Sequence, residues 1–138
     1  VINFDIERKF GRMDKDKYLY FIDSTYMRVW VKDKSLMGEF KKYLSSREFG
    51  ELLSEDQRKE FGLVKREFGD FIFRGKEGVM FVPNFYGARA NKAMHGYDSY
   101  LRSQNAFFSK FDTNSNQFEM PTASKEIFHY LTKVCNAK

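Results

Sequence analysis

The sequence predicts an α+β chain: a small antiparallel sheet with two or three packed helices, followed by a loop-rich C-terminal segment and a final helix. Three observations predict it. Runs rich in aromatic and β-branched residues lie at 18–33 and 68–83, as strands require. Apolar residues recur at helical spacing behind capping residues near 35 and 124, and a capping box at 54 opens a short, charged helix. Residues 84–104 carry Gly, Asn and Ser with no sustained period, as a long loop does.

Taken in order, residues 2–10 fit either a short strand or a helix, and Gly11–Lys17 (GRMDKDK) reads as a turn. Tyr18–Asp33 reads as strand, with Asp23-Ser24-Thr25 either a tight turn splitting it into a hairpin or a bulge within one long strand. Its alternation sends Met27, Val29 and Val31 to the core and Arg28, Trp30 and Lys32 outward. Ser35 is placed to cap a helix with an apolar stripe of Leu36, Phe40, Tyr43 and Leu44. Arg47–Leu53 reads as a short helical turn. Ser54 and Gln57 have capping-box spacing, and Gly62 is a plausible stop for the charged helix between them. The apolar runs 71–73 and 79–82, separated by Gly75-Lys76-Glu77-Gly78, read as a buried hairpin ended by Pro83-Asn84. Ala106–Phe108 reads as a short strand and Asp112–Pro121 as a loop. Ser124 is placed to cap a last helix carrying Ile127, Phe128, Leu131 and Val134 on one side.

At 138 residues the chain is one domain by length, expected as a module over 1–83 and a C-terminal segment over 84–138. Sixteen Phe and eight Tyr supply burial that argues against disorder. No stretch approaches the roughly twenty apolar residues of a membrane span, and no signal-peptide pattern is present, so no membrane partner is expected. A single Cys excludes an intramolecular disulfide and fits a cytoplasmic, reducing location. The chain begins Val1-Ile2-Asn3, which suggests a processed product or an excised fragment.

The chemistry concentrates in Asn91-Lys92-Ala93-Met94-His95-Gly96-Tyr97-Asp98. A histidine in a glycine-flanked loop is well placed as a metal ligand, because neutral imidazole suits zinc and glycine admits close backbone approach. The competing reading has His95 hydrogen-bonded within an ordered loop. Lys92 and Arg89, close by, are candidates to meet a substrate phosphate, and Asp98 to orient the loop. Arg28, Trp30 and Lys32 form a basic-aromatic strand face. One reading makes it a nucleic-acid platform; the favoured one is a strand face packed under helices or left to solvent. His129 reads as a helix-surface residue and Cys135 as an unremarkable thiol.

Several segments in order carry a resemblance. Tyr20-Phe21-Ile22-Asp23-Ser24-Thr25-Tyr26-Met27-Arg28-Val29-Trp30 is followed by Leu53-Ser54-Glu55-Asp56 and Phe68-Gly69-Asp70-Phe71-Ile72-Phe73. Then come Glu77-Gly78-Val79-Met80-Phe81-Val82-Pro83-Asn84-Phe85-Tyr86-Gly87 and Lys92-Ala93-Met94-His95-Gly96-Tyr97-Asp98. Together they resemble the cap and C-terminal portion of phosphodiesterases of the alkaline phosphatase superfamily, in the nucleotide pyrophosphatase/phosphodiesterase-like branch. The resemblance spans about Tyr20 to Phe108. It implies hydrolysis of phosphodiester or pyrophosphate bonds at a two-metal site, usually zinc, with a Thr or Ser nucleophile. It implies that His95 is one metal ligand. The remaining ligands and the nucleophile have no counterpart among these 138 residues, since such a site needs three His and the chain has two. The expectation is therefore a chain inactive alone, whose partner is the N-terminal catalytic portion of a parent enzyme acting on a phosphodiester or nucleotide. Phe-rich surface deprived of that partner favours a homo-oligomer. A non-enzymatic nucleic-acid or protein-binding module is the alternative.

Overall fold

The computed structural model describes residues 1–92, 94–109 and 119–136. They form two compact units, Val1–Gln104 and Asn105–Lys138. The first holds β1 (Ile2–Asn3), α1 (Glu7–Phe10), β2 (Tyr18–Ile22), β3 (Tyr26–Val31), α2 (Met37–Ser45), β4 (Gly50–Leu52), α3 (Glu55–Glu60), β5 (Phe71–Gly75) and β6 (Phe81–Val82). Antiparallel β2, β3, β5 and β4 make one four-stranded sheet in that spatial order, while β1 pairs parallel with β6. The architecture is mixed α+β, and no described helix is long and apolar enough to cross a membrane.

Strand alternation divides the sheet into two faces. Tyr18, Ile22, Met27, Val29, Val31, Phe71 and Phe73 are buried on one of them. Registers Met27↔Phe73 and Val29↔Phe71 stack these side chains across strands. Phe40 and Leu44, four apart on α2, close over this face, and Phe40 stacks on Phe10 with ring centroids 3.8 Å apart. A second aromatic group joins Phe4 to Phe49, Phe73 and Phe81 at 5.1–5.3 Å. The opposite face carries Tyr26, Arg28, Trp30, Ile72 and Arg74, in the registers Tyr26↔Arg74 and Arg28↔Ile72. Asp23-Ser24-Thr25 is the turn of a β2–β3 hairpin: Asp23 N donates to Tyr26 O, and Ser24 takes φ 86°.

The local signals that hold are those in which a side chain caps its own helix. Ser54 Oγ accepts from Gln57 N while the Gln57 side chain accepts from Ser54 N, and Gly62 at φ 70° follows the end of α3. Ahead of α2, by contrast, Asp33 rather than Ser35 caps. Its carboxylate accepts from Ser35 N and Ser35 Oγ at 3.0 and 2.7 Å, being the stronger acceptor of the two side chains. Those bonds, led by the Ser35 hydroxyl, hold the Asp33 carboxyl below its usual range.

Four further expectations are corrected. Residues 47–53 contain a strand, β4, because β5 offers a free edge to Gly50, Glu51 and Leu52. The runs 71–73 and 79–82 do not pair with each other. β5 is taken by β3 and β4, whereas Phe81 N donates to Ser24 O and β6 pairs with the N-terminal β1. Residues 106–108 form no strand.

The fourth correction lies in the second unit. There α4 (Ile127–Asn136) follows a 3₁₀ turn at Ser124–Glu126, which is entered at Ala123 rather than capped by Ser124. Glu126 accepts from Thr122 N and Ala123 N, and these bonds depress its carboxyl pKa. Tyr130 is the buried residue of α4, packing against Phe108, while Phe128 and Leu131 are exposed. Ile127 and Val134 are half-buried as expected of the apolar side, but Tyr130 takes the buried place expected for Phe128 and Leu131. Most of the loop expected at 112–121 lies outside the described residues.

Candidate functional site

The second sheet face floors a cavity of about 400 Å³, within the size range of small-ligand pockets. Tyr26 and Arg28 of β3 and Ile72 and Arg74 of β5 form the floor. Phe61 and Leu63, just beyond α3, make one wall, and Met94, His95, Gly96 and Tyr97 make another. The sequence folds this way because β5 is buried on both faces. Its second face needs a cover, and residues 84–92 and 94–104 supply part of it. Phe85 N donates to Ile22 O, and the Phe85 ring lies 5.5 Å from that of Phe21.

Three hydrogen-bonded points hold the wall that carries His95. Thr25 Oγ1 donates to Gly96 O at 2.8 Å. Gly96 N and Tyr97 N both donate to Gln104 Oε1, at 3.1 and 3.3 Å. Arg74 Nη2 pairs with Asp98 Oδ2 at 2.7 Å and also with Glu51 Oε1. Gly96 sits at φ 93°, where a side chain would be strained. His95 itself is exposed at this wall.

Charge on the floor is largely balanced. Arg74, with only 6% of its side chain exposed, faces two carboxylates and lies 5.7 Å from the Phe61 ring centroid. Arg28 stands 3.9 Å from Asp23. Burial pushes the Asp23 carboxyl pKa up, opposed by its bond from Tyr26 N and by Arg28. Burial likewise raises the Tyr26 phenol, opposed by the Arg74 guanidinium beside it.

The structure brings together two of the residues singled out in the sequence: Arg28 and His95 line the same cavity. Trp30 does not line it; half-buried, its Nε1 donates to Arg66 O at 3.0 Å. Arg28 lies 6.0 Å from the Phe68 ring centroid, and Lys32 is exposed. Lys92 is exposed and lines a separate depression with Met94 and Tyr97; Arg89 is exposed and lines neither. His129 belongs to the second unit. Sequence reasoning missed Arg74, Tyr26, Thr25 and Glu51. One signal was available for Arg74: a lone cation inside the apolar run Phe71-Ile72-Phe73-Arg74-Gly75 must find partners if the strand is buried.

Among the described residues, no three of His, Cys, Asp and Glu converge as a metal site would need. Asp23, the one carboxylate sharing the cavity lining with His95, is already engaged by Tyr26 N and Arg28. These residues do not fit a zinc centre of their own. Comparison with protein-family models, with curated proteins and with solved structures yields no match.

Proposed function

We propose that this chain supplies the substrate wall and one imidazole, His95, of a divided site that hydrolyses phosphodiester or pyrophosphate bonds. The other metal ligands and the nucleophile come from a separate polypeptide portion, and the chain alone is inactive. One observation carries the reading: His95 stands exposed at the wall of the cavity while the three residues after it are tied down. A donor presented outward on an anchored loop suits a site completed by another partner. The cavity walls suit the rest of the substrate. Tyr26, Phe61, Tyr86 and Tyr97 offer faces to a planar group such as a base. The floor cations are already countered by carboxylates, so the phosphate belongs toward His95 and the missing ligands rather than on the floor. The ordered run of matching segments from Tyr20 to Asp98 supports the same assignment.

The test is a titration followed by NMR on the histidine rings and cavity aromatics, with zinc and with a nucleoside monophosphate. Zinc is expected to shift the His95 ring selectively, weakly and without stoichiometric binding at micromolar concentration, because one imidazole is a poor zinc site. His129 is the internal control, and the nucleotide is expected to shift Tyr86 and Tyr97. Equal zinc response at His95 and His129, or tight, stoichiometric zinc binding by this chain alone, overturns the proposal. Phosphodiesterase activity of this chain alone does so as well.

A further inference from the structure

We infer that Arg74 is the positioning residue for His95, acting through Asp98 with Thr25 as its second anchor. The inference rests on the reading of His95 as a functional donor, and extends it to the residues that aim it.

Residues 94–101 contain no helix or strand. Their backbone is therefore held by side-chain contacts: Gln104 accepts from Gly96 N and Tyr97 N, and the sheet supplies two further anchors. Two adjacent strands provide them. Thr25, buried at the head of β3, binds the carbonyl of Gly96, and Arg74, buried in β5, binds the carboxylate of Asp98. The anchors fall one and three residues after His95, so they restrict its backbone while leaving the ring outside. Gly96 is part of the fit: a Cβ there would lie 3.4 Å from Thr25 Oγ1, on a backbone whose φ of 93° suits glycine.

Arg74 is suited to the task in a way that lysine is not. A planar fork lets one cation engage Glu51 of β4 and Asp98 of the loop together while its face lies toward Phe61. A guanidinium so buried needs its carboxylates, because an unpaired charge there would be costly. That requirement works in both directions: the sheet needs Asp98, and the loop is held because the sheet needs it. Glu51 balances one charge from the strand side, and Asp98 brings the second from the His95 loop.

The geometry separates positioning from plain stability, since Arg74 has one carboxylate partner on the loop and one on the sheet. Hydrogen exchange of the whole chain, read residue by residue, compares Asp98→Asn with Glu51→Gln. Asp98→Asn is expected to speed exchange at 95–98 by at least roughly tenfold, leaving β3 and β5 near their wild-type rates. Glu51→Gln is expected to loosen β4 and leave 95–98 unchanged. Thr25→Val, nearly isosteric, is expected to reproduce the effect at 95–98, and it serves if Asp98→Asn fails to fold. Wild-type exchange at 95–98 in Asp98→Asn and Thr25→Val overturns the inference, as does an equal, sheet-wide effect of Asp98→Asn and Glu51→Gln. If exchange at 95–98 rises selectively but zinc moves the wild-type His95 ring no more than His129, the anchoring stands and the proposed function falls.

Discussion

Replacing Gly50 by alanine tests how closely β4 must approach β5 to keep Glu51 beside Arg74. Gly50 pairs with Gly75 in the register that sets Glu51 opposite Arg74. A Cβ built at Gly50 would lie 2.6 Å from Phe73 Cζ, and closer still to Phe73 Cε1 and the Arg74 carbonyl oxygen. Ordinary contact begins near 3.4 Å, so β4 or its neighbours must move by on the order of 1 Å. Neither neighbour yields readily. The oxygen is backbone, and the Phe73 ring is fully buried against Phe4, Phe49 and Phe81. Overpacking of this kind costs about 1–3 kcal/mol, and a β4 pushed outward also loosens the Glu51–Arg74 pair. A total of about 3 kcal/mol is expected, a large part of the roughly 5–15 kcal/mol that holds a domain together. For a unit of this size it lowers Tm by about 12–24 °C. Gly38→Ala is the matched control: exposed on α2 with open space around its Cβ, it is expected to stabilise by about 0.5–1 kcal/mol. Thermal unfolding by circular dichroism on both variants is the assay. A Gly50→Ala protein within about 0.5 kcal/mol of wild type, the scatter of an ordinary surface substitution, would refute the claim that β4 approaches too closely for a side chain.

Three further outcomes follow from the same structure. Phe40→Ala removes a fully buried ring stacked on Phe10 and is expected to cost about 3–5 kcal/mol in urea unfolding. Ser54→Ala breaks one arm of the α3 capping box and is expected to cost about 1 kcal/mol, with faster amide exchange at Gln57. Burial, reinforced by Glu7, raises the Tyr18 phenol to about 12, from 10.0. Its folded pKa lies above its unfolded value, so this stabilisation is complete below pH 10 and is lost as pH rises from 10 through 12. The slope approaches about 1.4 kcal/mol per pH unit for one proton. Tyr18→Phe is expected to flatten that part of the stability curve, and an unchanged slope would contradict the assignment.

What was legible in the sequence was whatever neighbouring residues decide among themselves. The alternation of Met27, Val29 and Val31 needed only a strand with one buried face, and the Ser54–Gln57 box needed only its own four residues. The errors arose where a distant partner outbid a near one. Phe71–Phe73 and Val79–Val82 look like hairpin arms because a short, glycine-bearing stretch separates them, but β5 already has two neighbours and β6 pairs with β1, about eighty residues away in sequence. Residues 47–53 are equally ambiguous in isolation. An edge left open by β5 turned them into a strand, and glycine at 50 let the strand come close. On α4 the expected stripe and the observed one differ by which side of Ile127 the unit buries, which helical spacing alone leaves open.

For the candidate site the motif and the scaffold differ in the same way. Met94-His95-Gly96-Tyr97-Asp98 draws attention by composition, and the structure gives its members opposite tasks: the imidazole stays outside while the carboxylate turns to Arg74. That division explains how a stretch without helix or strand can hold an exposed imidazole on an anchored backbone. An exposed side chain contributes little to fixing its own backbone, so the ordering entropy must be offset by neighbours that do reach the interior. Here those are Thr25 and Arg74, 70 and 21 residues before His95 in the chain but brought close where Tyr26 pairs with Arg74 and Gly75 N donates to Thr25 O. Nothing in the spacing of the motif specifies them. A charge inside an apolar strand does show that a partner must exist, and Asp98, beside the exposed histidine, answers to it.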